Sequence, residues 1–353
     1  MNISITKTTA PKIKPDFSNL GFGNYFTDHM FICDYTKGEG WHDARIVPYA
    51  PLNLDPSSMV FHYGQEVFEG LKAYKWSDGT INLFRPQKNI ERLNLSNERI
   101  CIPTIDEDMA LEAIRKLIDT DSDWVPSLEG TSIYVRPFII ATEPALGVHQ
   151  SKSFMFIVIL SPVGAYYTEG INPVKIFVED EYVRAVKGGT GFTKCGGNYG
   201  ASIRAQMNAA EKGFTQVLWL DGVSRKYIEE VGTMNVFFKI NGEIITPSLE
   251  GSVLGGITRA SAIEILKDKG YKVNERKISI DEVVEADVNG TFEEMFGTGT
   301  AAVISPVGQL TYGEKTITIN NGQIGTLTQS LYDDLVGIQT GTTKDAKEWI
   351  VKV

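Results

Sequence analysis

The chain has 353 residues, 42 % of them hydrophobic, and a formal charge of −10 from 34 Lys and Arg against 44 Asp and Glu. That length supports one large or two ordinary domains with cores of their own, and an acidic chain with thinly spread Lys and Arg is not built for a nucleic-acid partner. No apolar run reaches the length of a membrane span and the first 20 residues lack the apolar stretch of a signal peptide, so a cytoplasmic protein with no membrane partner is expected.

Residues 1–19, polar and carrying Pro11 and Pro15, read as a loose arm. Strands follow at 28–33 and 45–47, and a turn at Ser77-Asp78-Gly79 leads into a strand at 80–84. Residues 85–99 read as a helix, with Ile90, Leu93 and Leu95 at near-helical spacing and Arg92 within it. Thr104 and Glu107 suggest a capping box for a second helix ending near Thr120. Two strands rich in β-branched and aromatic residues, 131–140 and 154–160, bracket a loop at 142–148. The run 161–170 has no periodicity, which places a smaller N-terminal domain at 1–165, a linker at 166–173 and a larger C-terminal domain at 174–353.

The second half opens with a strand at 174–178 and continues into a glycine-rich stretch at 188–200. A helix at 201–212, a strand at 215–220 and a strand pair at 227–240 come next, the last meeting a tight Asn241-Gly242 turn before 243–246. Gly255-Gly256-Ile257-Thr258 leads into a helix at 259–269 closed by Gly270. Further β segments are expected at 271–279 and 300–307, and a last helix at 327–338. Strict alternation of strand and helix is absent, so the fold class is α/β (α+β-like), with two domains of mixed or antiparallel sheets and flanking helices.

The stretch 188–200 packs six glycines around Lys194 and then offers Tyr199. Glycines let backbone approach a ligand or another element closely, at an entropic cost that a plain surface turn rarely needs. A lysine held there is a candidate amine nucleophile, able to form a Schiff base with a carbonyl; the plain alternative is a solvated surface loop. Pyridoxal phosphate is the carbonyl cofactor that fits, and it makes further demands. Its ring nitrogen needs an anion, for which Glu229-Glu230 offers two carboxylates, one of them turned inward by strand alternation. Its phosphate needs amides, hydroxyls and a cation: Gly256-Ile257-Thr258 at a helix N-terminus, a second glycine cradle at 297–301 and Arg92 are candidates. The cysteines at 33, 101 and 195 and the histidines at 29, 42, 62 and 149 are scattered, so no metal site is expected.

The run Phe192-Thr193-Lys194-Cys195-Gly196-Gly197-Asn198-Tyr199-Gly200, followed by Gln216-Val217-Leu218-Trp219-Leu220 and Glu230-Val231-Gly232-Thr233-Met234-Asn235, resembles the branched-chain amino acid aminotransferases, which are fold-type IV pyridoxal phosphate enzymes. Phe68-Glu69-Gly70-Leu71-Lys72-Ala73, Leu83-Phe84-Arg85-Pro86 and Tyr134-Val135-Arg136-Pro137 resemble family segments in the expected order. The resemblance implies that Lys194 is the Schiff-base lysine and that Arg92, Ile257, Thr258 and Thr300 hold the phosphate. It implies Glu230 as partner of the ring nitrogen and Tyr199 as partner of the 3′-oxygen. Phe22, Tyr63, Tyr134 and Tyr166 would line an apolar substrate box, Thr233 and Ala301 would meet the α-carboxylate, and Arg136 the distal carboxylate of glutamate. The implied reaction moves an amino group between L-leucine, isoleucine or valine and 2-oxoglutarate by a ping-pong route, in a homodimer whose loop at 146–148 reaches the neighbouring site. The thiol pair that some animal members carry is absent, Ala302 and Ser305 standing in its place. D-amino acid transamination, a lyase of the same fold type and a non-enzymatic phosphate-ligand binder are the rival readings.

Overall fold

The computed structural model describes residues 1–164 and 171–353; Tyr166, and with it most of the expected linker, lies outside the described residues. By internal contacts the chain forms two compact units. One holds Met1–Thr168, Thr193–Gly196 and Ile338–Val353, and the other holds Glu169–Phe192 and Gly197–Gly337.

The first unit is built on strands β1 (Ser4–Ile5), β2 (His29–Thr36), β3 (Gly40–Pro48), β4 (Glu66–Phe68), β5 (Leu71–Lys75), β6 (Ile81–Phe84), β7 (Ser132–Ala141) and β8 (Ser153–Val163). They form one sheet in the order β1-β3-β2-β8-β7-β5-β6, with β4 on β7 and a C-terminal strand, Ile350–Lys352, on β6. All pairings but β1 with β3 are antiparallel. A short helix α1 (Met59–Tyr63) precedes β4, and α2 (Pro86–Arg99) and α3 (Glu107–Thr120) follow β6. Alternate residues of the strands, among them Val67, Leu71, Ala73, Ile133, Val135 and Val158, pack with Leu93, Ile114 and Leu117 of the helices into a single core. The intervening residues Phe68, Lys72, Tyr134 and Arg136 therefore stand on the other pleat of β4, β5 and β7.

Two local readings are corrected here. Asp106, not Thr104, caps α3: its carboxylate accepts the amide of Met109 at 2.8 Å, which a carboxylate at the positive end of a helix does well. The N-terminal segment is not loose. The Thr8 amide donates to His29 Nε2 at 2.8 Å and the Lys12 amide to Asp28 Oδ1 at 2.8 Å. His29 Nδ1 in turn lies 2.6 Å from Asp121 Oδ1, so the network makes Nδ1 the protonated nitrogen.

The second unit has strands β9 (Val174–Glu179), β10 (Gln216–Leu220), β11 (Ile228–Val231), β12 (Asn235–Ile240), β13 (Glu243–Thr246), β14 (Val273–Glu275), β15 (Phe292–Gly299), β16 (Val303–Tyr312) and β17 (Lys315–Thr318). Its sheet order is β11-β10-β9-β16-β15-β12-β13-β14, with β17 on β16, and it mixes parallel pairs (β9 with β10 and β16, β13 with β14) with antiparallel ones. The mixed and antiparallel sheets expected from the sequence are thus present. Asn241 and Gly242 both take positive φ, 51° and 75°, and close the β12–β13 hairpin as their residue types demand.

Helices α4 (Gly196–Gly200), α5 (Ile203–Glu211), α6 (Ile257–Asp268), α7 (Ile280–Val288) and α8 (Thr326–Thr340) complete the chain. Four findings differ from the sequence expectation. The glycine stretch itself contains a helical turn. Helix α6 starts earlier than expected, so Ile257 and Thr258 are its first two residues, with Gly256 as N-cap. The expected β segment at 271–279 shrinks to β14, and α7 follows it, started by Ser279, whose hydroxyl accepts the Glu282 amide at 3.1 Å. The run 161–163, read as aperiodic, belongs to β8.

Candidate active site

Lys194 is half-buried and its peptide group is fixed on both sides. Its amide donates to Ser96 Oγ of α2 at 3.0 Å, and its carbonyl accepts the amide of Phe68 at 2.9 Å. Its Nζ stands 4.9 Å from the Phe68 ring centroid. Two residues on, the Gly196 amide donates to Glu66 Oε1, and a Cβ at Gly196 would collide with that carboxylate. A side chain at 196 would displace that carboxylate from the amide.

Arg92 projects from α2 onto Glu69, the residue after Phe68. Nε meets Oε1 and Nη2 meets Oε2, each at 2.8 Å, a bidentate pair with the carboxylate 1 % and the guanidinium 11 % exposed. Asn89 Nδ2 and the Gly70 amide add donors to Oε2 at 2.8 and 3.1 Å. Burial alone would raise the Glu69 carboxyl, but Arg92, Lys194 and Asn89 outweigh it and hold it below the ordinary carboxylate range. Sequence reasoning missed Glu69 and Phe68; both lie in a segment it had matched to the family.

Of the aromatic residues expected in the substrate box, Phe22 and Tyr134 meet one another edge-on with centroids 5.0 Å apart, and Arg136 Nη2 donates to the Tyr134 hydroxyl at 3.2 Å. Tyr63 is placed by a different contact: its hydroxyl donates to the carbonyl of Leu146 in the loop after β7.

The second unit holds the remaining candidates. Glu229 and Glu230 are both buried, not one of them as expected. The loop after β13 passes their strand edge: Leu254 donates its amide to Glu230 Oε1 at 2.8 Å, and the Ser252 hydroxyl donates to Glu229 Oε1. Arg184 Nη2 lies 3.3 Å from Glu230 Oε1 and also reaches the carbonyls of Gly191 (3.1 Å) and Ser252. Burial, the largest influence, pushes the Glu229 carboxyl up, with the Glu230 charge adding to it. The Ser252 hydroxyl and the Arg184 charge oppose that rise.

The loop 254–256 then runs to the start of α6. Asn235 Nδ2 donates to the Leu254 carbonyl at 2.8 Å, and no side chain among the described residues caps the α6 N-terminus. The first-turn amides at Ile257 and Thr258 therefore face outward with the positive pole of the helix. Antiparallel pairing of β12 with β15 (Asn235 opposite Thr298) sets the β11–β12 turn, with Thr233, at the same end of the sheet as the β15–β16 turn, with Thr300 and Ala301. Among the described residues, Thr298 Oγ1, fully enclosed, has no hydrogen-bond partner. An uncapped helix start and a cradle at Gly256 that a Cβ would close against Asn235 suit a phosphate group. Tyr199 lies in α4, half-buried. No group of metal-ligating side chains occurs among the described residues.

The held lysine with an aromatic neighbour in one unit, and the uncapped helix start and buried carboxylate in the other, are each groups of the kind a pyridoxal-phosphate transaminase uses. The amino-transferase class IV family model matches residues 66–310. The chain is 59 % identical over 351 residues to branched-chain-amino-acid aminotransferase 2 of Bacillus subtilis (strain 168), covering 99 % of this chain and 97 % of that one. It is 54 % identical over 352 residues to a probable branched-chain-amino-acid aminotransferase of Staphylococcus aureus (strain N315), covering 99 % and 98 %. Among solved structures, the branched-chain amino acid aminotransferase of Escherichia coli superposes with a TM-score of 0.75 at 28 % identity, over 90 % of this chain and 98 % of that one. A T.th. branched-chain amino acid aminotransferase complexed with N-(5′-phosphopyridoxyl)-L-glutamate gives 0.76 at 27 % identity, over 91 % and 97 %. The chain belongs to the branched-chain-amino-acid aminotransferase family, within the class IV, fold-type IV aminotransferases.

Proposed function

We propose that this chain is a pyridoxal-phosphate-dependent transaminase that moves an amino group between L-leucine, L-isoleucine or L-valine and 2-oxoglutarate in two half-reactions. The observation that carries the reading is Lys194, fixed through both its amide and its carbonyl with its amine above Phe68, in the same unit as the Arg92–Glu69 pair.

When bound, the cofactor supplies an aldehyde for amines and a ring that accepts electron density. Lys194 would anchor it, and its free amine would move a proton at the substrate Cα as general base and acid. Arg92, Ile257, Thr258 and Thr300 hold its phosphate, Glu230 its ring nitrogen and Tyr199 its 3′-oxygen. Phe22, Tyr63, Tyr134 and Tyr166 receive the apolar side chain, Thr233 and Ala301 the α-carboxylate, and Arg136 the distal carboxylate of the acidic partner. Apolar and aromatic walls with one cation serve both side-chain classes in one pocket. A homodimer in the cytoplasm, with domains at 1–165 and 174–353, completes the proposal.

Purified protein should absorb as a lysine-bound pyridoxal species and lose that absorbance on borohydride reduction. It should transaminate L-leucine and not D-alanine, and Lys194→Ala should abolish turnover. A variant at position 194 that retained more than a trace of transamination would refute the assignment.

A further inference from the structure

Arg136 projects from the same face of β7 as Tyr134. Its guanidinium carbon lies 4.8 Å from the Phe68 ring centroid and 5.2 Å from that of Tyr134. Its hydrogen-bond acceptor among the described residues is a neutral phenol, and its enclosed Nε has no partner. Glu66 lies on the same pleat two residues before Phe68, with β4 paired so that Glu66 stands opposite Ile140 and Phe68 opposite Phe138. Its carboxylate accepts the Gly196 amide and feels the Arg136 charge through space.

We propose that Glu66 is the resident counter-charge of Arg136 and sets how strongly the pocket distinguishes a substrate with a distal carboxylate from one with an apolar side chain. The inference rests on Arg136 facing the substrate side chain, as proposed above. With a branched aliphatic side chain in the pocket, Arg136 meets no anion from the ligand, and a partly desolvated guanidinium without one is costly. A fixed carboxylate on the same face supplies that anion in every half-reaction. When a dicarboxylic substrate enters, its distal carboxylate meets Arg136 but also meets the like charge of Glu66, so affinity for the acidic substrate is held down. Burial raises the Glu66 carboxyl, while the Gly196 amide and the Arg136 charge pull it back toward the ionised form. The other charges near this face are the buried Lys72 amine of β5, opposite Tyr134, the Lys194 amine over Phe68 and the Glu69 carboxylate, which is already committed to Arg92.

Glu66→Gln separates charge from scaffolding, because an amide oxygen still accepts the Gly196 N–H while the charge is gone. Cofactor-loaded wild type and variant are titrated with glutarate and with 4-methylvalerate, which have no amino or oxo group and need no turnover. Glu66→Gln should bind glutarate roughly 5- to 20-fold more tightly, the scale of one unit charge at a partly buried site, and should not bind 4-methylvalerate more tightly. The KM for 2-oxoglutarate should fall by the same factor and that for L-leucine should not fall. Glu66→Ser, a second neutral variant, should shift the glutarate ratio in the same direction. A glutarate affinity that stays put, or two acids that shift together in both variants, would overturn the role of Glu66. Absence of leucine transamination in the wild type would instead strike the proposed function and leave the titration result to decide Glu66 separately.

Discussion

Arg92 and Glu69 face each other through two parallel contacts of 2.8 Å, from a helix and from the chain between two strands, 23 residues apart in sequence. The pair locks α2 onto the sheet beside Lys194. Replacing Glu69 by Ala leaves a partly buried guanidinium without its anion, and removing one member of such a pair costs about 3–5 kcal/mol. Urea denaturation should show a loss on that scale, and Glu69→Gln a smaller one. Because the folded carboxyl is depressed, the pair's contribution is present above the ordinary value of 4.5 and is lost as pH falls through the lower folded value. The wild type should therefore lose stability more steeply than Glu69→Gln as the pH is lowered below 4.5.

Lys72 shows the opposite sign. It is buried on β5, and burial brings its amine from 10.5 down to about 8. Between those two values the unfolded chain binds the proton and the folded chain does not, so stability rises with pH across the window. The cost of carrying a charged lysine there is fully present below about pH 8, on the order of 3 kcal/mol. Lys72→Met should flatten the rise between about pH 8 and 10.5 in a denaturation series, whatever its effect on stability at neutral pH. A rise that persisted unchanged in the variant would assign it to another group.

Glu294 lies in β15 yet serves a helix. Its two oxygens accept the amides of Leu327 and Thr328 at 3.0 and 2.9 Å and the Thr328 hydroxyl at 2.7 Å, satisfying the start of α8 with a carboxylate at the positive helix pole. Glu294→Ala leaves those donors enclosed and unpaired, which should cost about 1–3 kcal/mol. Gly325→Ala should be destabilising too, because a Cβ there would collide with the same carboxylate. Thermal melts of the two single variants and of the double variant test the shared cause: their effects should be less than additive.

These relationships mark what the sequence could and could not say. The glycine stretch was legible because part of its spacing is a backbone requirement: a Cβ at Gly191 would collide with the Ser252 carbonyl and Ala185. The strands and long helices were legible from periodicity. Glu69 was not, since an acid between a phenylalanine and a glycine has no local signature and its partner arrives from α2. Strand alternation misled at Glu229 and Glu230, because a loop 23 and 24 residues downstream closes over the strand edge and buries both. The Ser279-to-Glu282 cap of α7 could have been read, as its serine three residues before a glutamate is a local pattern.

Arg184 is the residue through which that loop, the glycine stretch and Glu230 meet. Its Nη2 reaches the carbonyls of Gly191 and Ser252 and lies 3.3 Å from Glu230 Oε1, with the side chain 8 % exposed. Arg184→Met would leave Glu230 enclosed, with the Leu254 amide still donating to it and Glu229 as a like-charged neighbour. Loss of the adjacent cation should favour the protonated form of Glu230, and a shift of one pKa unit is about tenfold in the ionised fraction. If Glu230 partners the cofactor's ring nitrogen as proposed, a neutral Glu230 would not keep that nitrogen protonated, and the leucine half-reaction should slow at least about tenfold, with the loss deepening as pH is lowered. Arg184→Lys should recover part of the rate by restoring the charge without the three-way reach. Single-turnover absorbance changes across pH check this: a rate lost equally at every pH and not recovered by lysine would assign Arg184 to loop architecture alone.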